Sequence, residues 1–129
     1  MKNQISKLSS LSVLLLLFSC EGGTTFTKTI DNASSENMTI KLSTVYGHQE
    51  EISIHSMESK QIYWDDQMGR FVNDNYLCTE SIDSIEITLT NNKTLVKDIL
   101  NSDNWQRESK DGRNSREDCT FYFNNADLE

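Results

Sequence analysis

Apolar residues in this chain recur at every second position. Met38, Ile40 and Leu42 are separated by Thr39 and Lys41, Ile52 and Ile54 by Ser53, and Ile85, Ile87 and Leu89 by Glu86 and Thr88. That spacing puts all the apolar groups of a run on one face of an extended strand, whereas on a helix it would scatter them around the axis. Gly47-His48 lies between the first two runs and marks a hairpin turn. Asn91-Asn92 follows the third run and tolerates the positive φ of a tight turn. The stretch 94–99 then returns with Leu95, Val96 and Ile99. Its period is ambiguous, because Leu95/Ile99 and Val96/Leu100 are also i,i+4 pairs of a short helix; a strand is the favoured reading. Phe26 and Ile30 mark a first strand. Ile62 and Trp64 share a face of another, with Trp64 inward and Tyr63 outward, and Cys119, Phe121 and Phe123 share a face of the last.

Seven short strands in 129 residues without a proline predict an all-β chain folded as a single antiparallel β-sandwich, with an immunoglobulin-like arrangement among its forms. Without proline, sheet edges must be protected by exposed Lys, Glu and Asp. Residues 101–118 are polar apart from Trp105 and read as a long mobile loop. The chain has room for one domain, which rules out a multidomain enzyme.

Ahead of the strands, residues 1–20 start weakly basic and run into an apolar stretch from Leu11 to Phe18, broken only by Ser12. That stretch is shorter than the ~20 apolar residues a membrane span needs, and it fits the core of an export signal. Leu17-Phe18-Ser19-Cys20 resembles the lipobox of bacterial lipoproteins, with Phe18 bulkier than the usual residue at its position. The resemblance implies a signal peptide over 1–19, cleavage before Cys20 and acylation of its thiol. Residues 20–25 would then be the lipidated cysteine and a short tether, and 26–129 the sandwich. Each buried acyl methylene contributes about 0.8 kcal/mol, so several chains hold the protein at a membrane.

Loss of Lys2 and Lys7 with that segment leaves ten basic against twenty acidic residues, a net charge of −10. Nucleic acid is therefore disfavoured as a partner. With Cys20 acylated, Cys78 and Cys119 remain, and an even remainder in an exported chain reads as one disulfide.

Catalytic motifs are missing: the chain has no GxSxG, no HExxH and no glycine-rich phosphate loop. His48 and His55, with Glu50 or Glu51, lack a recognised metal-ligand spacing and read as solvated surface groups. Asp65-Asp66 and Asp111-Gly112-Arg113-Asn114 are calcium-loop-like in composition only. No catalytic residue, metal or cofactor is expected. The one unusual constellation is QIYWDDQMGRFVNDNYLC, residues 61–78, where Tyr63, Trp64, Phe71 and Tyr76 lie among Asp65, Asp66 and other polar groups. Aromatic rings beside carboxylates and amides suit a protein or glycan contact, while the plain alternative is that the rings fill the core. Phe71, after Gly69, reads as a loop residue.

The lipobox LFSC, the IDSIEITLTNNKTL hairpin and the ending CTFYFNNADLE together resemble small uncharacterised lipoproteins of the Bacteroidota type. The resemblance carries no activity. It implies that Asp83-Ser84-Ile85 is an O-glycosylation triplet with Ser84 as acceptor. Because Glu21-Gly22-Gly23 lacks the acidic run associated with surface display, it also implies an outer-membrane lipoprotein facing the periplasm. The expected function is a non-enzymatic binding or structural module of the cell envelope, with an unknown envelope or host protein or glycan as partner. The alternative is an acidic inhibitor of a basic hydrolase such as lysozyme, whose encounter would be hastened by charge.

Overall fold

The computed structural model describes residues 22–69 and 75–129. Seven strands follow one another: β1 (Gly23–Ala33), β2 (Met38–Thr44), β3 (Gln49–Ile54), β4 (Ser59–Met68), β5 (Ile82–Leu89), β6 (Trp105–Lys110) and β7 (Ser115–Asn124). They form an all-β sandwich of a four-stranded sheet, ordered β4-β1-β7-β6, and a three-stranded sheet, ordered β3-β2-β5. Among the described residues all strand ladders are antiparallel but one, since β1 and β7 run parallel over ten paired positions, Thr24 opposite Ser115 to Ala33 opposite Asn124. Parallel neighbours cannot be joined by a hairpin. Here the whole intervening chain is the crossover. In the constant-type immunoglobulin order the first, second, fifth and fourth strands share a sheet; in this chain the second lies between the third and the fifth in the other sheet instead.

The alternation read in the sequence sorts the faces as expected. Met38, Ile40 and Leu42 of β2 and Ile52 and Ile54 of β3 point inward, against Phe26 and Ile30 of β1 and Phe121 and Phe123 of β7. The β2–β3 turn closes with Gly47 at φ +82°, a left-handed conformation that favours glycine.

Three expectations need correction. Gly23, Thr24 and Thr25 belong to β1 rather than to a tether, paired with Met68, Gln67 and Asp66 of β4, and Thr24 is buried with its hydroxyl donating to the Gly69 carbonyl at 3.0 Å. The stretch 94–99 does not return beside β5, although Asn91 and Asn92 do take φ of 57° and 55°. It pairs briefly with the C-terminus instead, with Thr94 and Glu129 exchanging two backbone hydrogen bonds of 2.9 Å. The Asp98 carboxylate then accepts from the Leu100 amide at 2.9 Å, and the Asn101 side chain from the Asp103 amide at 3.0 Å. Such local side-chain acceptors compete with a ladder. Finally, 101–118 is not one loop. It holds β6, the turn at Asp111-Gly112 and the start of β7. β6 was hard to read because it is an edge strand whose inward positions are Trp105, Arg107 and Ser109, only one of them apolar.

Cys78 and Cys119 form the expected disulfide, with Cα atoms 5.6 Å apart and a sequence separation of 41. Both are buried. Closing a loop of this length stabilises a fold by about 4 kcal/mol in the chain-entropy model. Reduction is expected to lower the melting temperature of the full chain by roughly 20 °C, followed by circular dichroism with and without dithiothreitol. Superimposable melting curves would contradict the staple.

Candidate functional site

The site is built by an irregularity in β4. Lys28 of β1 pairs with Tyr63, but Thr29 pairs with Gln61, so Ile62 is an extra residue without a partner. A bulge of this kind reverses the alternation beyond it. Ile62 points inward at 5% exposure; Tyr63, Asp65 and Gln67 then turn inward too, and Trp64 turns out at 58%. The expectation that Ile62 and Trp64 share the core face, with Tyr63 outside, is thereby overturned. Two consecutive residues take the inside, which no strict period of two can produce.

Opposite Tyr63 lies Lys28, a lysine with no exposed surface. Its ammonium donates to the Tyr76 hydroxyl at 2.9 Å and stands 5.2 Å from the Tyr63 ring centre and 5.3 Å from that of Tyr76. Burial drives its pKa down from 10.5 to about 8, and the nearby Glu80 charge acts in the opposite sense. Tyr76 is held from several sides. Its ring centre is 5.1 Å from that of Phe26, the Arg107 guanidinium lies 5.5 Å over the ring, and Arg107 Nη1 donates to the Tyr76 carbonyl at 3.3 Å. Two residues later the disulfide fixes the segment against β7. Burial pushes the Tyr76 phenol up, as does the Glu80 charge. Tyr63 is raised for the same first reason, with the Ser81 hydrogen bond pulling the other way.

Arg107 of β6 reaches across to Glu117 of β7 with two bonds, 2.8 Å from Nε and 2.9 Å from Nη2, and the Ser109 hydroxyl adds a third at 2.6 Å. Burial pushes the Glu117 carboxyl up; the bonds from Arg107 and Ser109 outweigh it and hold the group below its usual range.

Between these groups opens a cleft of about 140 Å³. Phe26, Tyr63 and Tyr76 form its walls with Tyr46 of the β2–β3 turn, while Asp65, Glu80 and Glu117 supply carboxylates. A wider groove of about 350 Å³ shares Tyr46, Tyr63 and Asp65 with it and adds Trp64, His48 and Glu50. Tyr46 is 69% exposed.

The structure thus brings Tyr63, Asp65 and Tyr76 together and leaves Trp64 on the neighbouring groove. Asp66 faces outward and accepts from the Thr25 hydroxyl at 2.6 Å. Tyr76 is chiefly a core residue, and only part of it lines the cleft. Ser84 is exposed on the outer face of β5, opposite Ser43. Cys20 and Phe71 lie outside the described residues. His48 and His55 flank opposite ends of β3, and among the described residues no three metal-ligating side chains come together. Sequence reading missed Lys28, Tyr46, Glu80, Arg107 and Glu117. Lys28 carried a usable signal, since Phe26, Lys28 and Ile30 share one parity in β1.

No family model, curated protein or solved structure matches the chain.

Two predictions follow from this geometry. Trp64→Ala is expected to change unfolding free energy by no more than about 0.5 kcal/mol, whereas Tyr76→Ala costs about 3–5 kcal/mol; urea titration of both variants measures it, and equal losses would refute the bulge. Lys28 binds its proton less tightly folded than unfolded, so above pH 8 the unfolded chain retains more protons and stability rises with pH towards 10.5. The Tyr76 phenol, raised in the fold, opposes this only above pH 10, where unfolded tyrosines ionise. The urea midpoint should therefore increase between pH 7.5 and about 9.5 and stay flat in Lys28→Met. A wild-type midpoint that falls over this interval would contradict the burial of a charged Lys28.

Proposed function

We propose that the chain is a lipoprotein anchored through Cys20 in the outer membrane and facing the periplasm, and that its sandwich is a non-enzymatic binding module of the cell envelope. The observation that carries the binding role is the placement of Tyr46 and Trp64. Both are more than half exposed and both line the groove that also holds Tyr63 and Asp65, in a fold whose other large aromatics are mostly buried. Exposed rings beside carboxylates supply contact area at low entropic cost, with polar groups to fix orientation. An envelope or host protein is the partner class favoured here. The exposed Ser84 on the outer face of β5 suits an O-linked glycan.

A second reading, an acidic inhibitor of a basic hydrolase such as lysozyme, draws on the net charge of −8 and on Glu50, Asp65 and Glu80 around the two clefts. Its association would weaken steeply with salt, because steering by charge is screened over a Debye length of ~10 Å at 0.1 M.

The anchor is tested by detergent phase partitioning. The parent chain should enter the detergent phase and Cys20→Ala the aqueous phase, or remain unprocessed; a variant that partitions like the parent removes the lipoprotein reading. For the module, photo-crosslinking from the groove in intact envelopes should give a discrete adduct that Trp64→Ala abolishes with the melting temperature unchanged. An adduct insensitive to Trp64→Ala would place the contact elsewhere.

A further inference from the structure

The charges around the cleft do not cancel, and the imbalance has a sign. Glu117 is neutralised by its two bonds to Arg107. The Glu80 charge is felt by the buried Lys28 ammonium. Asp65 is different: it accepts from the Gln67 amide at 3.1 Å, and among the described residues no lysine or arginine comes within ion-pair distance of it. It is hydrogen-bonded to the Tyr63 side chain and lines both clefts together with Tyr63 and Tyr46.

The molecule already displays the chemistry that completes such a set. Arg107 lays its guanidinium 5.5 Å over the Tyr76 ring while donating in a fork to Glu117. Tyr63 and Asp65 likewise set a ring next to a carboxylate; the cation already at that ring is the Lys28 ammonium, 5.2 Å from its centre, and the Asp65 carboxylate has no guanidinium among the described residues. A planar cation stacks on an aromatic face and donates bidentately to a carboxylate, which an ammonium does less well. A volume of about 140 Å³ suits the end of one side chain. The polar lining is weighted towards acceptors, which is unfavourable to a sugar, whose hydroxyls ask for donors and acceptors in balance.

Resting on the groove being a binding surface, we infer that the Tyr46–Tyr63–Asp65 cleft receives one arginine side chain presented by a protein partner. Asp65 takes the fork, Tyr63 and Tyr46 the faces of the guanidinium, and Trp64 covers the flanking backbone. The acidity of the whole chain draws a basic partner towards the site.

The test uses the full ¹⁵N-labelled chain in non-ionic micelles, titrated with four probes: acetyl-Gly-Arg-Gly-amide, the same peptide with lysine, the same peptide with citrulline, and chitotetraose. Citrulline keeps the shape of arginine and lacks its charge. The arginine peptide should shift the Tyr63, Trp64 and Asp65 amides and the Trp64 indole signal, with the lysine peptide weaker and the citrulline peptide about tenfold weaker. Asp65→Asn should weaken the arginine peptide about tenfold and leave the citrulline peptide unchanged. Tyr46→Ala, at an exposed turn position, should weaken both cationic peptides while the fold stands. Glu86→Gln on the outer face of β5 should change nothing. Equal affinity for the arginine and citrulline peptides, or indifference to Asp65→Asn, overturns the inference. Chitotetraose shifting these signals while the peptides do not overturns the inference and leaves the binding module standing; no response to any probe brings both down.

Discussion

Lys28 has no exposed surface and, among the described residues, no carboxylate bonded to it, and this end of the sandwich is arranged around that fact. An ammonium removed from water must be met by dipoles and rings from within. Tyr76 meets it with its hydroxyl and its face, Tyr63 with its face. Each is in place for a separate reason. Tyr63 is turned inward by the extra residue at Ile62, which falls directly after the Lys28–Tyr63 pair in the ladder. Tyr76 belongs to a segment outside the sheets that is held down by the disulfide two residues further on. A regular β4 would set Ile62 against Lys28 and swing Tyr63 to solvent; an open Cys78–Cys119 bond would free Tyr76.

The same two devices produce the cleft. Once the alternation is reversed, Asp65 and Gln67 follow Tyr63 to the inside, and Trp64 is left on the groove beside it. Parallel pairing of the first and last strands then brings Glu117 to the register of Phe26 and Cys119 to that of Lys28. Groups distant in sequence by about ninety positions share one wall. Structural and binding roles are thus not separable at this end of the molecule: the polar set that makes a buried lysine tolerable also lines the space where a ligand side chain fits.

Most of the fold was legible in the sequence. Strands with strict alternation, such as β2 and the inner face of β7, announce both their existence and their buried side, because one sheet face is core and the other is solvent. The disulfide follows from cysteine parity once Cys20 is set apart by its resemblance to a lipobox cysteine. What could not be read follows from the physics. β6 is an edge strand with two polar groups at its inward positions, so its hydrophobic pattern is faint. The 94–99 stretch has apolar residues at two periods at once, and its own side chains cap the turns that keep it from pairing with β5. Trp64 was misplaced because a bulge is a tertiary event: nothing in Ile62-Tyr63-Trp64 says that two neighbours rather than alternate residues go inside. Tyr63, Asp65 and Tyr76 stand out in the sequence for the company they keep, while Glu80, Arg107 and Glu117 do not, because Arg107 and Glu117 meet only through the β6–β7 ladder and reach Phe26 only through the β1–β7 pairing, and Glu80 lies outside the strands.

The chain has two tryptophans, and the reversal in β4 turns Trp64 outward while Trp105 of β6 is buried. Trp105 is buried and its indole N–H donates to the Ile99 carbonyl at 2.8 Å, whereas the Trp64 indole lies on an exposed ring. Hydrogen exchange of the two indole N–H signals after transfer of the full chain into D₂O reads this directly. One signal should vanish at the rate of a free indole and the other persist, with Trp64→Phe deleting the fast one. Two protected indoles, or a fast signal deleted by Trp105→Phe instead, would mean that β4 keeps its regular alternation and that the cleft is not built as described.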